Sequence, residues 1–217
     1  MRGVIPDIPK PMAEVRNRPF LEHLMDYWIE QGIAKFILSV GYRYEVILDH
    51  FDSVYRGIPV EYSIEHEPLG TGGGILLAAR SLIEPFLLIN GDTFFAVELS
   101  RLLNFHTSRK SDFTFSLFQT QETERYMAIE IGQEGNILAL KSKSKQETCL
   151  ANGGVYVVEP SALLKVPYEA DASVSLENEL LPIMSDLGVR FFGQEYASLF
   201  IDIGIPTDYS RAGNVLP

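Results

Sequence analysis

Two element types alternate through the first half of the chain, and this alternation narrows the fold more than any other feature. AKFILSV (34–40) is short, apolar and rich in β-formers. GYRYEVILDHFDSV follows it with Val46, Ile47 and Phe51 at helical spacing. PVEYSI (59–64) alternates like a strand, and a helix is predicted over 72–83. PFLLIN (85–90) reads as a fully buried strand, because four apolar residues stand in a row. Ahead of these, RPFLEHLMDYWIEQGI (18–33) reads as a helix closed by Gly32, the residue type that best tolerates a left-handed cap. Alternating strands and helices predict a mostly parallel sheet covered on both faces.

The second half is patterned differently. DFTFSLFQ, YMAIEI, NILALK and GVYVVEP are closely spaced strands, with QEGN as a turn between two of them. SVSLENELLPIMSDLG (173–188) opens on serines, carries acids in its first turn and ends on glycine, which marks a helix. VRFFGQ and SLFIDIG close as strands. The expectation is an α/β core with a partly antiparallel second half and no flexible linker, a single domain over 1–217.

Composition sets the function classes. Hydrophobic residues make up 46% and charged ones 22%, enough for a sizeable core and against global disorder. A net charge of -11 argues against unspecific binding to nucleic acid or an anionic membrane. It leaves room for a small anionic substrate, since a few local lysines and a metal ion outweigh distant charge. Cys149 is the only cysteine, so there is no intramolecular disulfide and no cysteine zinc cluster, and a reducing cytoplasm is expected. It has no obvious base beside it and reads as an incidental thiol. No apolar run is long enough to span a bilayer, and MRGVIPDIPKPM lacks the apolar centre of a signal peptide.

In open α/β sheets ligands bind beyond the carboxyl ends of the strands. INGDTFF places Asn90, Gly91 and Asp92 there; Asp92 suits Mg²⁺ held against phosphate oxygens, or else a turn or helix cap. FIDIG sets Asp202 between Ile201 and Ile203, costly for a carboxylate unless it is paired, capped or metal-bound. DIPKPM brackets Lys10 with two prolines that restrict the backbone and aim the side chain. EPLGTGGG (67–74) puts a glycine cluster in front of an apolar helix, where a ligand could approach the backbone amides. It is not a P-loop, because no lysine follows Gly73 or Gly74.

Taken in order, IPKPMAEVRNRPFLEHLMDYWIEQGI, EPLGTGGG, LLINGDTFF, LANGGVYVVEP and FIDIGIPTDY resemble the sugar-phosphate nucleotidyltransferases over nearly the whole chain. The branch most resembled is the D-glycero-D-manno-heptose 1-phosphate guanylyltransferases. The resemblance implies a Rossmann-like three-layer α/β/α fold with a mixed, mostly parallel central sheet. It implies the reaction of a nucleoside triphosphate, GTP favoured, with a sugar 1-phosphate to give a nucleotide sugar and pyrophosphate, with Mg²⁺ as cofactor. It assigns phosphate contact to Lys10, metal binding to Asp92 and Asp202, and the nucleotide side to Gly41, Glu67, Pro68, Leu69, Gly70, Thr71, Asn90 and Gly91. Asn152 and Gly153 would face the sugar. Lys143 would match a sugar-phosphate lysine, but in KSKSK, Lys141 and Lys145 compete for that role. Met127 stands after Tyr126 where relatives often carry glycine, which narrows the expected sugar pocket.

Relatives open with a buried strand and a G-G-x-G-T-R loop that holds the triphosphate, and this chain starts after that point. The expectation that follows is a front segment of roughly ten to fifteen residues missing. Poor turnover is expected with it, and self-association as a homo-oligomer through an open edge at AKFILSV or PFLLIN. The rival readings are a degenerate homologue that binds a sugar phosphate or nucleotide sugar without turnover, and a glycosyltransferase of similar fold. The second is disfavoured because NGDTF offers a single aspartate rather than an Asp-x-Asp pair.

Overall fold

The computed structural model describes residues 8–141, 147–169 and 172–217. A short 3-10 turn (Lys10–Met12) leads into β1 (Glu14–Val15), β2 (Arg18–Pro19), α1 (Phe20–Glu30), β3 (Phe36–Val40), α2 (Tyr44–Phe51), β4 (Val54–Tyr55), β5 (Ile58–Ile64) and α3 (Gly70–Ala78). Next come β6 (Phe86–Ile89), β7 (Thr93–Phe95), α4 (Leu99–Arg109), β8 (Phe113–Thr120), β9 (Ala128–Ile131), β10 (Ile137–Lys141), β11 (Cys149–Val158) and α5 (Pro160–Leu163). A π-helical turn (Leu176–Leu180) runs into α6 (Leu181–Asp186), followed by β12 (Phe191–Glu195), β13 (Phe200–Asp202) and α7 (Pro206–Val215). The described residues fall into two compact units. One draws on Met1–Leu82, Val166–Ile183 and Asp202–Pro217, the other on Ile83–Lys165 and Met184–Ile201.

In the first unit β3 runs parallel to β5, pairing Phe36 with Val60 through to Val40 with Ile64. β4 joins the other edge of β5 antiparallel, through a turn in which Arg56 and Gly57 both take positive φ. α1 buries Phe20, Leu21, Leu24, Met25 and Trp28, a stripe with helical period; each such side chain is worth about 1.5–3 kcal/mol when fully buried. It stops at Glu30, with Gly32 left-handed just beyond, as its sequence predicts. The start of the unit is tied to its last helix. Arg16 donates to the carbonyl of Gly213 in the last turn of α7 and to those of Leu216 and Pro217 just beyond it, and the Tyr209 hydroxyl donates to the Glu14 carbonyl.

The second unit is organised on β11. One edge of β11 pairs antiparallel with β8 from Cys149 to Val158. The strand also pairs with β9 at Leu150 and Ala151, and with β6 from Val155 to Val158. β10 extends the sheet beyond β9, and β12 lies parallel to β8. β8 is covered on both faces: Phe113, Phe115 and Leu117 are fully buried on one, and Thr114 and Ser116 on the other. The Ser116 hydroxyl donates to the Val155 carbonyl and the Thr114 hydroxyl meets His106 of α4, so neither buried polar group is left alone.

Three expectations change. PFLLIN is not fully buried, since all four residues of β6 are half-buried. The apolar run reflects a strand whose recorded pairing, among the described residues, is with β11 alone. The helix predicted over 72–83 begins at Gly70 and ends at Ala78, so the glycine cluster is its first turn rather than a loop before it. The helix predicted over 173–188 is split into a π turn and α6, with the Ser175 side chain accepting from the Asn178 amide at its start. Helices α4 and α7 went unread.

Asp112 at the start of β8 accepts from the Arg190 guanidinium at 2.8 and 3.1 Å and from the Arg190 amide at 2.9 Å. These bonds hold its carboxyl below the ordinary value of 3.8 despite the opposing effect of burial. Because the folded value is depressed, the stabilisation is full above pH 3.8 and is lost as pH falls through the lower folded value. Asp112→Asn is expected to cost about 1–2 kcal/mol at pH 7, a modest figure because the guanidinium is half exposed. The gap to the parent should shrink in urea melts repeated near pH 3.

Candidate functional site

The candidate residues divide between the units. Lys10, Gly41, Glu67, Pro68, Leu69, Gly70, Thr71 and Asp202 belong to the first, and Asn90, Gly91, Asp92, Asn152 and Gly153 to the second. Lys143 and Lys145 lie outside the described residues, and Lys141 closes β10.

In the first unit the carboxyl ends of β3 and β5 lie side by side, with the Glu65 amide donating to the Val40 carbonyl at 2.7 Å. Gly41 follows β3 beside Glu65; a Cβ on Gly41 would lie 3.5 Å from the Cβ of Glu65. The Glu65 carboxylate accepts from the Ser39 hydroxyl at 3.1 Å and from the Leu69 amide at 3.2 Å. Glu67 and Pro68 stand exposed between those anchors, and Leu69 is buried. The sequence reading passed over Glu65, which lies two residues before its motif.

The glycines have a partner within the chain. The Val174 carbonyl accepts from the amides of Gly72 and Gly73 at 2.9 and 3.2 Å, and the Val174 amide donates to the Leu69 carbonyl at 2.8 Å. Thr71 Oγ1 accepts from the Leu176 amide at 3.1 Å. A Cβ on Gly73 would fall 2.2 Å from the Ala172 carbonyl oxygen, so this backbone contact admits only glycine. Two of the amides expected to face a ligand are therefore already used.

Lys10 sits in the 3-10 turn, whose Met12 amide donates to the Pro9 carbonyl at 2.8 Å. Its ammonium lies 3.8 Å from where a Cβ on Gly204 would be, next to the Asp202 turn. Asp202 Oδ1 accepts from the Gly204 amide at 2.7 Å, and the Asp202 amide donates to Asp208 in the first turn of α7 at 3.1 Å. Ile201 and Ile203 are fully buried, so the turn is anchored on both sides while Asp202 itself is half-buried. Of the three remedies its apolar flanks call for, pairing, capping or a metal, the structure shows the cap.

In the second unit the Asn90 amide donates to the Gly154 carbonyl at 2.8 Å, joining the end of β6 to the middle of β11. The side chains of Asn90 and Thr93 crowd Gly154, which takes φ +72°. A Cβ on Gly153 would lie 2.3 Å from the Phe95 ring, so these two glycines let β11 pass close against the β6–β7 turn. Asn152 is engaged within β11: its Nδ2 donates to the Tyr156 hydroxyl and its Oδ1 accepts from the Gly154 amide. One N–H and one lone pair of that amide remain for a ligand. Asp92 is half-buried in the turn between β6 and β7.

Hard carboxylate oxygens at Asp92 and Asp202 suit Mg²⁺ rather than a soft metal. Beside Asp92, the buried Thr93 hydroxyl has no hydrogen-bond partner among the described residues, which leaves polar capacity at this turn for water or ligand. Among the described residues no group of three or more His, Cys, Asp or Glu could hold a metal by itself. An Mg²⁺ bound through one or two carboxylates plus substrate phosphates needs no such cage. Cys149 is half-buried and desolvation pushes its thiol up, the opposite of a nucleophile's tuning.

The family model of the nucleotidyl transferases matches residues 3–214, which spans both units and every motif above. The chain belongs to the nucleotidyl transferase family. This nucleotidyl transferase is 40% identical over 216 residues to the D-glycero-alpha-D-manno-heptose 1-phosphate guanylyltransferase of Aneurinibacillus thermoaerophilus, covering 98% of this chain and 91% of that one. It is 35% identical over 210 residues to the enzyme of the same name from Campylobacter jejuni, covering 96% and 91%. HddC from Yersinia pseudotuberculosis complexed with GMP-PN is similar in structure, with a TM-score of 0.84 and 32% identity over 99% of this chain and 92% of that one. These likenesses bear out the α/β Rossmann-like expectation; the strand pairings of this nucleotidyl transferase are of mixed direction.

Gly73→Ala is expected to destabilise the transferase by about 1–3 kcal/mol through overpacking against Ala172. Gly213→Ala makes a contrast: its Cβ would meet nothing closer than 3.9 Å, and a gain of about 0.5–1 kcal/mol is expected within α7. Urea denaturation of both variants measures the two signs.

Proposed function

We propose that this chain transfers a guanylyl group from GTP to D-glycero-α-D-manno-heptose 1-phosphate, giving the GDP-sugar and pyrophosphate. The observation that carries the reading is the 40% identity to a transferase of that name over 98% of this chain. The 3–214 family match supports treating both units as one nucleotidyltransferase domain.

An oxygen of the sugar 1-phosphate attacks the α-phosphorus of GTP; the new P–O bond forms as the bond to the β-phosphate oxygen breaks, and pyrophosphate leaves. Both reactants are anions, so the protein's task is charge compensation and in-line placement rather than covalent catalysis. Lys10, held by its proline turn, contacts phosphate. Asp92 and Asp202 would each offer a carboxylate to Mg²⁺, whose charge would offset that of the phosphate oxygens. Gly41 lies under the nucleoside, and Pro68, Leu69, Gly70, Thr71, Asn90 and Gly91 line the nucleotide side. Glu67 is an exposed carboxylate, and only acceptors complement the N1–H and exocyclic amine of guanine; this favours GTP over ATP. Asn152 and Gly153 face the sugar, with Met127 narrowing its pocket. A lysine of KSKSK, Lys143 foremost and Lys141 or Lys145 otherwise, contacts the sugar phosphate. The reaction belongs in the cytoplasm, where GTP is made and a lone thiol stays reduced; no described helix is long and apolar enough to cross a membrane.

A pyrophosphate-release assay with GTP and the heptose 1-phosphate tests the reading, with ATP, UTP and mannose 1-phosphate as competitors. Turnover is expected with GTP and to depend on Mg²⁺. Asp92→Asn and Asp202→Asn should each lower kcat roughly 10²–10³-fold, a loss of several kcal/mol of transition-state stabilisation. Binding of the sugar phosphate in calorimetry with no pyrophosphate from any triphosphate would instead make the chain a non-catalytic binder.

A further inference from the structure

We infer that Glu65 is a positioning residue for the nucleotide side, holding the arc that presents Glu67. The inference rests on the guanylyl-transfer reading for its substrate and on separate geometry for its mechanism. Glu65 follows the last residue of β5, and its amide adds one more rung to the β3–β5 ladder through the Val40 carbonyl. Its carboxylate then spans two elements. One oxygen takes the Ser39 hydroxyl of β3, and the other takes the Leu69 amide four residues ahead, at the entrance to α3. The segment 65–69 becomes a closed ring, with His66, Glu67 and Pro68 exposed on its outside.

The surroundings are shaped to this carboxylate. A Cβ on Gly74 would come within 2.6 Å of Glu65 Oε1 and 3.0 Å of Ser39 Oγ, so the glycine at the end of the cluster makes room for the pair. Gly41 lies beside Glu65 on the β3 side, where a Cβ would sit 3.5 Å from the Glu65 Cβ, in ordinary contact. Two glutamates two residues apart thus have different duties. Glu65 has both oxygens occupied within the protein, and Glu67 is the one left facing outward. Removing the first frees residues 66–68 at their start and so displaces the second, while Leu69 and Thr71 keep their bonds to Val174 and Leu176.

Glutamine should substitute for Glu65. Its oxygen can accept from the Leu69 amide, while its NH₂ donates to the Ser39 hydroxyl, which accepts as well as it donates. Alanine breaks both links. Glu65→Ala is expected to raise KM for GTP about 10-fold, and to lower the preference for GTP over ATP in kcat/KM about 10-fold, the size of one or two modest hydrogen bonds. The KM for the sugar 1-phosphate and the kcat should stay within about threefold. Glu65→Gln should restore the GTP values, which a general loss of stability in the alanine variant would not explain. Hydrogen exchange of the Leu69 amide should be faster in Glu65→Ala and near the parent in Glu65→Gln. That readout needs no turnover, so it judges the ring even if GTP proves not to be the substrate. Unchanged exchange at Leu69, an unchanged KM for GTP, or a parallel rise in KM for both substrates would overturn the inference.

Discussion

The second unit depends on the ladder of β11. One edge bonds to β8 along its length, and the strand gives its first half to β9 and its second half to β6. On its β8 edge the pairing shifts register between Asn152 and Tyr156. Backbone groups released at the break need new acceptors and donors. The Gly154 carbonyl finds the Asn90 amide, and the Gly154 amide finds the Asn152 side chain. The loop bearing Asp92 is therefore attached to the sheet by the same irregularity that turns the Asn152–Gly154 segment. Asp92 and the Asn152–Gly154 segment, the residues proposed above for metal and sugar, thus share one irregularity in a regular structure.

The glycine cluster follows a similar logic in the first unit. A glycine-rich helix start invites a reading in which bare amides wait for phosphate. Here the ligand of Gly72 and Gly73 is the Val174 carbonyl, and the missing side chains make way for the backbone at Ala172 and for Glu65. The function of the motif is then indirect. It fixes the start of α3 against neighbouring backbone, so that Glu67 to Thr71 are held without depending on a bound nucleotide.

What could be read from sequence was what is local. Gly32 as a left-handed cap, the serines that open SVSLENELLPIMSDLG and the strands DFTFSLFQ and GVYVVEP follow from neighbours a few residues away, and the structure has them, with Ser175 as the capping serine. Asp202 between two isoleucines was legible as a carboxylate needing a partner, a cap or a metal, because the cost of burial is visible in the sequence itself. The links that escaped are long-range. Nothing near Thr71 announces Leu176, and nothing in PFLLIN says which of its edges is paired. Glu65 escaped for another reason: it resembles any other acid in IEHEP until Ser39 and Leu69 are brought to it. α4 went unread because Leu99, Leu102 and His106 form a sparse stripe in a polar segment, and α7 because only Pro206 marks its start.

The docking of residues 172–176 on the glycine turn also sets an order of assembly. Thr71 and Leu176 are 105 positions apart, with the bulk of the second unit encoded between them. During synthesis the first turn of α3 emerges long before the carbonyl that satisfies its amides. Until then it is a weak helix start, rich in glycine and without the carbonyl that will accept from its amides. Closing such a long loop is an entropic toll collected late, and it makes the arc from Glu65 to Thr71 among the last parts of the first unit to become rigid.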